Sequence, residues 1–200
     1  MPATAEDLVI EQGKTFQRVV RWETTPAVYK AITAIPQSAP VTLTVPGHGI
    51  PDGWKAAVID VKGMVEVNAL SSPPSSKDFR RVTVVDADTV QFNEISAASF
   101  KPYRSGGYLV YFTPVTLTGF TARMTIKDRI GGAVLATLTT ENGGISVDTS
   151  AKTISLLISA TATAGYTWTK GVYDLELISA TGVVTALLAG AITLTKEVTT

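Results

Sequence analysis

The chain contains no cysteine and only one histidine among its 200 residues. The lack of cysteine excludes a disulfide framework, a thiolate zinc site and a cysteine nucleophile. A single histidine also excludes a metal site built from several imidazoles. The cysteine count therefore places no redox constraint on the compartment in which the protein works.

An excess of charge of one sign is also missing, because 17 basic residues are balanced by 17 acidic ones. Proteins that bind nucleic acid usually carry a basic field, so this balance argues against nucleic acid as a partner. No apolar run approaches the ~18 residues that a membrane-spanning helix needs. The first residues lack the basic start and apolar core of a signal peptide, so we expect a protein made in a cytoplasm and not exported by that route.

The residues that are present indicate a β-rich globular protein. Apolar residues make up 45% of the chain and charged residues only 17%, and Thr, Val, Ala and Ser are abundant. Residues 120–126 alternate strictly between apolar and polar, which predicts a half-buried strand. Residues 173–188 repeat the alternation around a Ser-Ala-Thr-Gly turn and predict a hairpin. Only residues 159–168 have helical character, of a single turn at most.

The middle of the chain, residues 27–113, differs from the rest in its pattern of strands and turns. Its short strands are separated by turns every few residues, which favours a small barrel. Excising it leaves a continuous series of hairpin units, with one strand ending at 22–26. We therefore predict an all-β protein with a β-sandwich scaffold, residues 1–26 and 114–200, and a domain of residues 27–113 inserted in a loop. Loop tips tolerate insertion because they are exposed and their ends lie close together.

Motifs in both parts resemble those of tailed-phage virion proteins. The outer segments DLVIEQGKTFQRVVRWE, PVTLTGFTARMTIKD and GVYDLELISATGVVTALLAGAITLTKEV resemble the immunoglobulin-like N-terminal domain of phage baseplate upper proteins. The matching positions are Gly13, Phe16, Trp22, Leu117, Gly119, Phe120, Met124, Tyr173 and Leu177. The middle segment, through Gly47-His48-Gly49 and the turns at 63–68 and 84–89, resembles the barrel-like first catalytic-cysteine half-domain of ubiquitin-activating enzymes. Versions of that domain recur in phage structural proteins.

The resemblance implies an immunoglobulin-like β-sandwich with a small β-barrel domain inserted in a loop. It implies a non-enzymatic structural or adaptor protein of the virion, in the tail, baseplate or neck, with no cofactor. The expected partners are other virion proteins and further copies of the chain, with no nucleic acid and no membrane. Two alternatives stay open: a carbohydrate- or receptor-binding module of the tail that contacts a host surface glycan, and a capsid decoration protein.

His48, Asp86 and Asp88 are the residues best placed in the sequence to do chemistry, and each has a structural explanation. His48 lies between two glycines in a proline-rich turn, where it is typical of a tight backbone path. Asp86 and Asp88 flank a turn, where aspartates usually cap their own backbone, and too few oxygen ligands follow for calcium. A hydrolase is therefore disfavoured, and we predict no catalytic, cofactor-binding or metal-binding residue. The basic residues at 77–81 are typical of a solvated edge.

Aromatic residues give the only surface signal in the sequence. Tyrosine and tryptophan are enriched at interfaces because they offer large contact areas with few rotatable bonds. The interface candidates are Tyr103, Tyr108, Tyr111, Tyr166 and Trp168. Burial of these side chains in their own cores is the competing explanation.

Overall fold

The computed structural model describes residues 3–197 and divides the chain into two compact units. One unit, here called the outer unit, contains the chain up to Trp22 and from Val115 onward. The other, here called the inserted unit, is Glu23–Pro114. The first junction was expected at 26/27 and lies four residues earlier, at 22/23. The second was expected at 113/114 and lies one residue later, at 114/115.

Strands dominate the described residues. In chain order they are β1 (Thr4–Ala5), β2 (Leu8–Glu11), β3 (Phe16–Val20), β4 (Glu23–Ala31), β5 (Val41–Thr44), β6 (Lys55–Ile59), β7 (Arg80–Arg81), β8 (Thr83–Asp86), β9 (Thr89–Phe92), β10 (Tyr108–Pro114), β11 (Thr121–Lys127), β12 (Val134–Thr139), β13 (Ile145–Asp148), β14 (Thr153–Ile158), β15 (Lys170–Ile178) and β16 (Val184–Thr195). A 3-10 helix, Val65–Val67, and one α-helix, α1 (Ala160–Ala164), complete the inventory. The all-β fold class and the helical turn within 159–168 are confirmed, but the expectation that only this stretch is helical is wrong, because Val65–Val67 form a 3-10 helix. Neither helix of the described part could reach across a bilayer.

The outer unit is a sandwich of two sheets. β1 and β2 both pair in parallel with β16, and β15, β11 and β12 continue that sheet in antiparallel order. β13, β14 and β3 form the second, antiparallel sheet. Alternate residues of both sheets share one buried core, in which Met124 lies directly opposite Leu175. The predicted strand at 120–126 and the predicted hairpin at 173–188 are confirmed as β11 and as the β15–β16 pair.

The inserted unit also has two sheets and a core of its own. One sheet has the order β4-β10-β6-β7 and the other β5-β9-β8. Trp54, Phe92 and Leu43 are fully buried between them. β8 and β9 pair as an antiparallel hairpin around residues 86–88.

The prediction of a small β-barrel in the inserted unit is wrong, because no closed barrel forms within residues 3–197. A closed barrel would need β4 and β5 to pair along their length, but only an isolated bridge, between Ala34 and Thr44, joins the chain after β4 to β5. Two prolines, Pro36 and Pro40, lie between these strands and cannot donate a backbone N–H to a ladder. The sheets therefore stay separate along this side.

The prediction that residues 22–26 end a strand of the outer scaffold is also wrong. Residues 23–26 open β4, which runs without a break to Ala31 and pairs with β10 of the inserted unit. Trp22 itself lies in no strand and packs against the outer core, with its ring 5.9 Å from Phe120 in an edge-to-face arrangement. Strand pairing therefore decides where each unit begins.

Candidate functional site

His48 is a buried structural residue of the inserted unit, with 2% of its surface exposed. Its Nδ1 accepts the backbone N–H of Ile50 at 3.1 Å, so the ring proton lies on Nε2 and is donated to the carbonyl of Asp86 at 2.9 Å. The Tyr111 hydroxyl donates to the His48 carbonyl. Both ring nitrogens are thus engaged within the protein, and the imidazole ties the 46–50 turn to the end of β8.

Asp86 and Asp88 act on backbone groups, as the sequence predicts. Asp86 Oδ1 accepts the N–H of Asp88 at 2.9 Å, and this bond lowers the pKa of the Asp86 carboxyl. Asp88 Oδ1 accepts the N–H of Gly47 at 2.7 Å. Within residues 3–197 no group of three or more His, Asp or Glu side chains is arranged to hold a metal ion.

The five aromatic interface candidates lie in different environments. Tyr111 is a core residue with 5% exposure and not an interface residue, because β10 turns it inward to the His48 turn. Tyr103 packs against the same core, and its hydroxyl donates to the Ile32 carbonyl at 3.0 Å. Tyr166 and Trp168 stack at 5.4 Å against the outer core, where burial raises the pKa of Tyr166. Only Tyr108 is well exposed, at 43%.

Tyr108 forms an exposed aromatic pair that the sequence reasoning missed. Its ring lies 6.3 Å from that of Tyr29, edge to face at 77°, and Tyr29 is 51% exposed. The pairing of β4 with β10 places Tyr29 opposite Val110 and Tyr108 opposite Ala31, so the two tyrosines meet diagonally on one face. This pair is the most prominent exposed aromatic feature of the inserted unit.

A second feature of the inserted unit is a braced loop that carries Leu70, which is 99% exposed. The Asp78 carboxylate accepts the N–H of Leu70 at 2.9 Å, the hydroxyl of Ser71 at 2.7 Å, and both the N–H and the hydroxyl of Ser75, at 2.8 and 2.7 Å. These hydrogen bonds hold the pKa of the Asp78 carboxyl far below its ordinary value. The Ser-Ser-Pro-Pro-Ser-Ser loop is therefore ordered around one carboxylate, with a leucine at its start.

The outer unit has a comparable feature at the β11–β12 turn. Ile130 is 91% exposed there, in a turn closed by backbone hydrogen bonds from the N–H of Asp128 to the Ala133 carbonyl at 3.1 Å and from the N–H of Gly132 to the Arg129 carbonyl at 2.9 Å. Ile130 lines an open groove of about 410 Å³ on the outer face of the six-stranded sheet. Val172 and Asp174 of β15 are among the residues that line the groove. Hydrophobic periodicity cannot find residues of this kind, but an aliphatic residue inside a turn segment such as Asp-Arg-Ile-Gly-Gly is a usable signal.

Comparison of the sequence with protein-family models and with curated proteins finds no match.

Proposed function

We propose that the chain is a non-enzymatic structural or adaptor protein of a tailed-phage virion, in the tail, baseplate or neck, which holds neighbouring subunits through β-rich interfaces. The observation that carries this proposal is the pair of braced turns that present Leu70 and Ile130. Singly exposed aliphatic side chains are common on protein surfaces. Here each is almost completely exposed on a turn held by hydrogen bonds, which lowers the conformational entropy lost on binding.

Fixed apolar side chains of this kind suit the centre of a protein interface, where an anchor fills a pocket and is fully desolvated. Burying one leucine or isoleucine contributes on the order of 1.5–3 kcal/mol. Two anchors on separate units allow one copy to contact more than one neighbour, as a closed ring or a stacked assembly requires. The immunoglobulin-like resemblance of the outer segments points to the same class of protein.

The test uses virions that encode this chain. Mass spectrometry of purified particles should find the chain at a fixed copy number per particle, and its absence from particles would overturn the proposal. Leu70→Asp and Ile130→Asp should reduce incorporation into particles while each isolated variant keeps the wild-type unfolding midpoint.

Val65→Asp is the matched control, because Val65 is exposed but lies in the 3-10 helix and not on a braced turn. Incorporation that is unchanged in both turn variants, or reduced equally in the Val65 control, would show that the braced turns are not the anchors.

A further inference from the structure

The outer face of the four-stranded sheet of the inserted unit is the surface with the most specific chemistry. Leu109 and Tyr111 of β10 point into the core, so Tyr108, Val110 and Phe112 point to the opposite face. On β6, Ala57 is opposite Val110 and shares this face with Lys55 and Ile59. We call this surface the β10 face.

Aromatic side chains line the β10 face. Tyr29 and Tyr108 form the exposed edge-to-face pair at one end. Phe79 and Phe112 lie 5.6 Å apart and half-buried on the same face. Val110 and Ala57, between these pairs on the strands, are buried. The rings of Tyr29, Tyr108 and Phe112 are thus attached to paired strands, which fixes their orientation before any ligand arrives, and Phe79 directly precedes β7.

Two cations accompany the aromatics. Lys55 lies opposite Arg81 in the β6–β7 pair, so both side chains emerge on the β10 face. Within residues 3–197 neither makes an ion pair, since the four salt bridges there involve other residues. The acidic residues nearest to them in the sequence, Asp52 and Asp78, accept hydrogen bonds from the N–H of Val84 and the hydroxyl of Ser71. The face therefore combines aromatic rings with unpaired positive charge.

We infer that the β10 face binds an acidic saccharide. A pyranose ring presents C–H groups of partial positive charge on its flat side, and these suit the electron-rich face of a tyrosine ring. A carboxylate or sulfate on the chain would contact Lys55 and Arg81 by charge-assisted hydrogen bonds. Single-stranded nucleic acid fits less well, because its binding needs a longer basic groove and parallel stacking platforms, whereas Tyr29 and Tyr108 stand at 77° to each other. This inference does not depend on the virion role, and a glycan contact would add a second activity to it.

The test is isothermal titration of the full chain with a panel of acidic oligosaccharides that carry uronate, sialate or sulfate groups, beside a neutral oligosaccharide of N-acetylglucosamine. At least one acidic saccharide should bind, and its affinity should fall as salt rises. Tyr29→Ala and Tyr108→Ala should each weaken binding by about tenfold or more, by analogy with base stacking on aromatic side chains. Tyr108→Phe should keep most of the affinity, because the ring face is retained.

Lys55→Glu and Arg81→Glu should remove the preference for acidic over neutral saccharide, whereas Lys101→Glu, an exposed lysine in a loop of the same unit, should not. Unfolding midpoints of all variants should stay at the wild-type value, which separates loss of binding from loss of fold. The inference is overturned if no acidic saccharide of the panel binds, or if binding survives both tyrosine-to-alanine changes. Equal or tighter binding of a single-stranded oligonucleotide would likewise assign the face to nucleic acid and overturn it.

Discussion

Unfolding the inserted unit should destabilise the outer unit by an amount that the structure allows us to work out. The N–H of Val115 donates to the carbonyl of Trp22 at 2.9 Å, so the two ends of the outer unit touch at the junction. Glu23 and Pro114 likewise face each other across β4 and β10. While the inserted unit is folded, its two ends lie side by side, so it joins the two parts of the outer unit as a short loop would.

If the inserted unit unfolds, the same two ends must enclose about 90 flexible residues. Loop closure costs about 0.6 kcal/mol for each doubling of loop length, and going from about three residues to about 90 is roughly five doublings. The outer unit should then lose about 3 kcal/mol of unfolding free energy without any change to its own residues.

The double variant Leu43→Ala, Val90→Ala should unfold the inserted unit while the outer unit stays folded. The two side chains are fully buried opposite each other in β5 and β9, and each truncation costs roughly 2–5 kcal/mol or slightly less for valine. A second variant has three glycines in place of residues 23–114, which the 2.9 Å contact at the junction permits. Denaturant unfolding followed by tryptophan fluorescence reads the outer unit through Trp22 and Trp168, and Trp54→Phe removes the signal of the inserted unit.

The glycine-linked outer unit should fold and keep the wild-type midpoint or exceed it, whereas the double variant should show the outer transition lowered by about 3 kcal/mol. A glycine-linked chain that fails to fold would refute the reasoning, because the outer core would then need the inserted unit. An outer transition that is unchanged in the double variant would refute it equally, since an unfolded 90-residue loop cannot be closed without entropy loss.

Three further predictions concern single residues. Burial raises the pKa of Tyr173 to about 12, whereas an unfolded tyrosine titrates near 10, so the contribution of Tyr173 to stability should be constant below pH ~10 and fall between about pH 10 and 12. Tyr173→Phe should make the fall in denaturant midpoints across that window smaller. Gly63→Ala should lower the unfolding free energy by at least about 2 kcal/mol in thermal unfolding, because φ is +90° and the new Cβ would lie 2.3 Å from the Pro102 carbonyl oxygen. Gly53→Ala is the control: its φ is +68° but nothing lies near the new Cβ, so the loss should be about 1 kcal/mol. Met124→Ala should lower the unfolding free energy by roughly 2–5 kcal/mol, because the side chain is fully buried in the outer core; a cost below about 1 kcal/mol would contradict that packing.

The outer sheets could be predicted from sequence because their signal is local. Each residue of β11 and β15 faces either the core or solvent, so the period of two appears directly in the letters. The closure of the inserted unit could not be predicted in this way. Whether β4 continues into β5 depends on backbone pairing between strands separated by Pro36 and Pro40, and hydrophobic alternation carries no information about that pairing.

The candidate site was only partly visible in the sequence for a related reason. Tyr108 and Tyr111 are three positions apart on one strand, so they must lie on opposite faces, but the letters do not say which face is the core. Tyr29 was missed because the strand that carries it was divided at residue 26, and its partner on β10 lies far along the chain. The braced position of Leu70 depends on Asp78, whose role becomes visible only when its hydrogen bonds are known.

The register of β4 against β10 explains why Tyr29 and Tyr108 lie on the same face although the pairing contains a bulge. Tyr29 and Val28 lie opposite Val110 and Tyr111, but Thr24 lies opposite Thr113, so β4 carries two more residues than β10 across this step. An even number of extra residues preserves the alternation of faces, and Pro26 sits within the bulge, where it need not donate to the ladder. Deleting one residue from 25–27 should therefore turn either Tyr29 or the start of β4 to the wrong face and lower the unfolding midpoint, whereas deleting two should be tolerated and leave the Tyr29–Tyr108 contact in place. Near-ultraviolet circular dichroism of the tyrosines with thermal unfolding distinguishes these outcomes, and a one-residue deletion as stable as the two-residue deletion would show that the face of β4 is not set by this register.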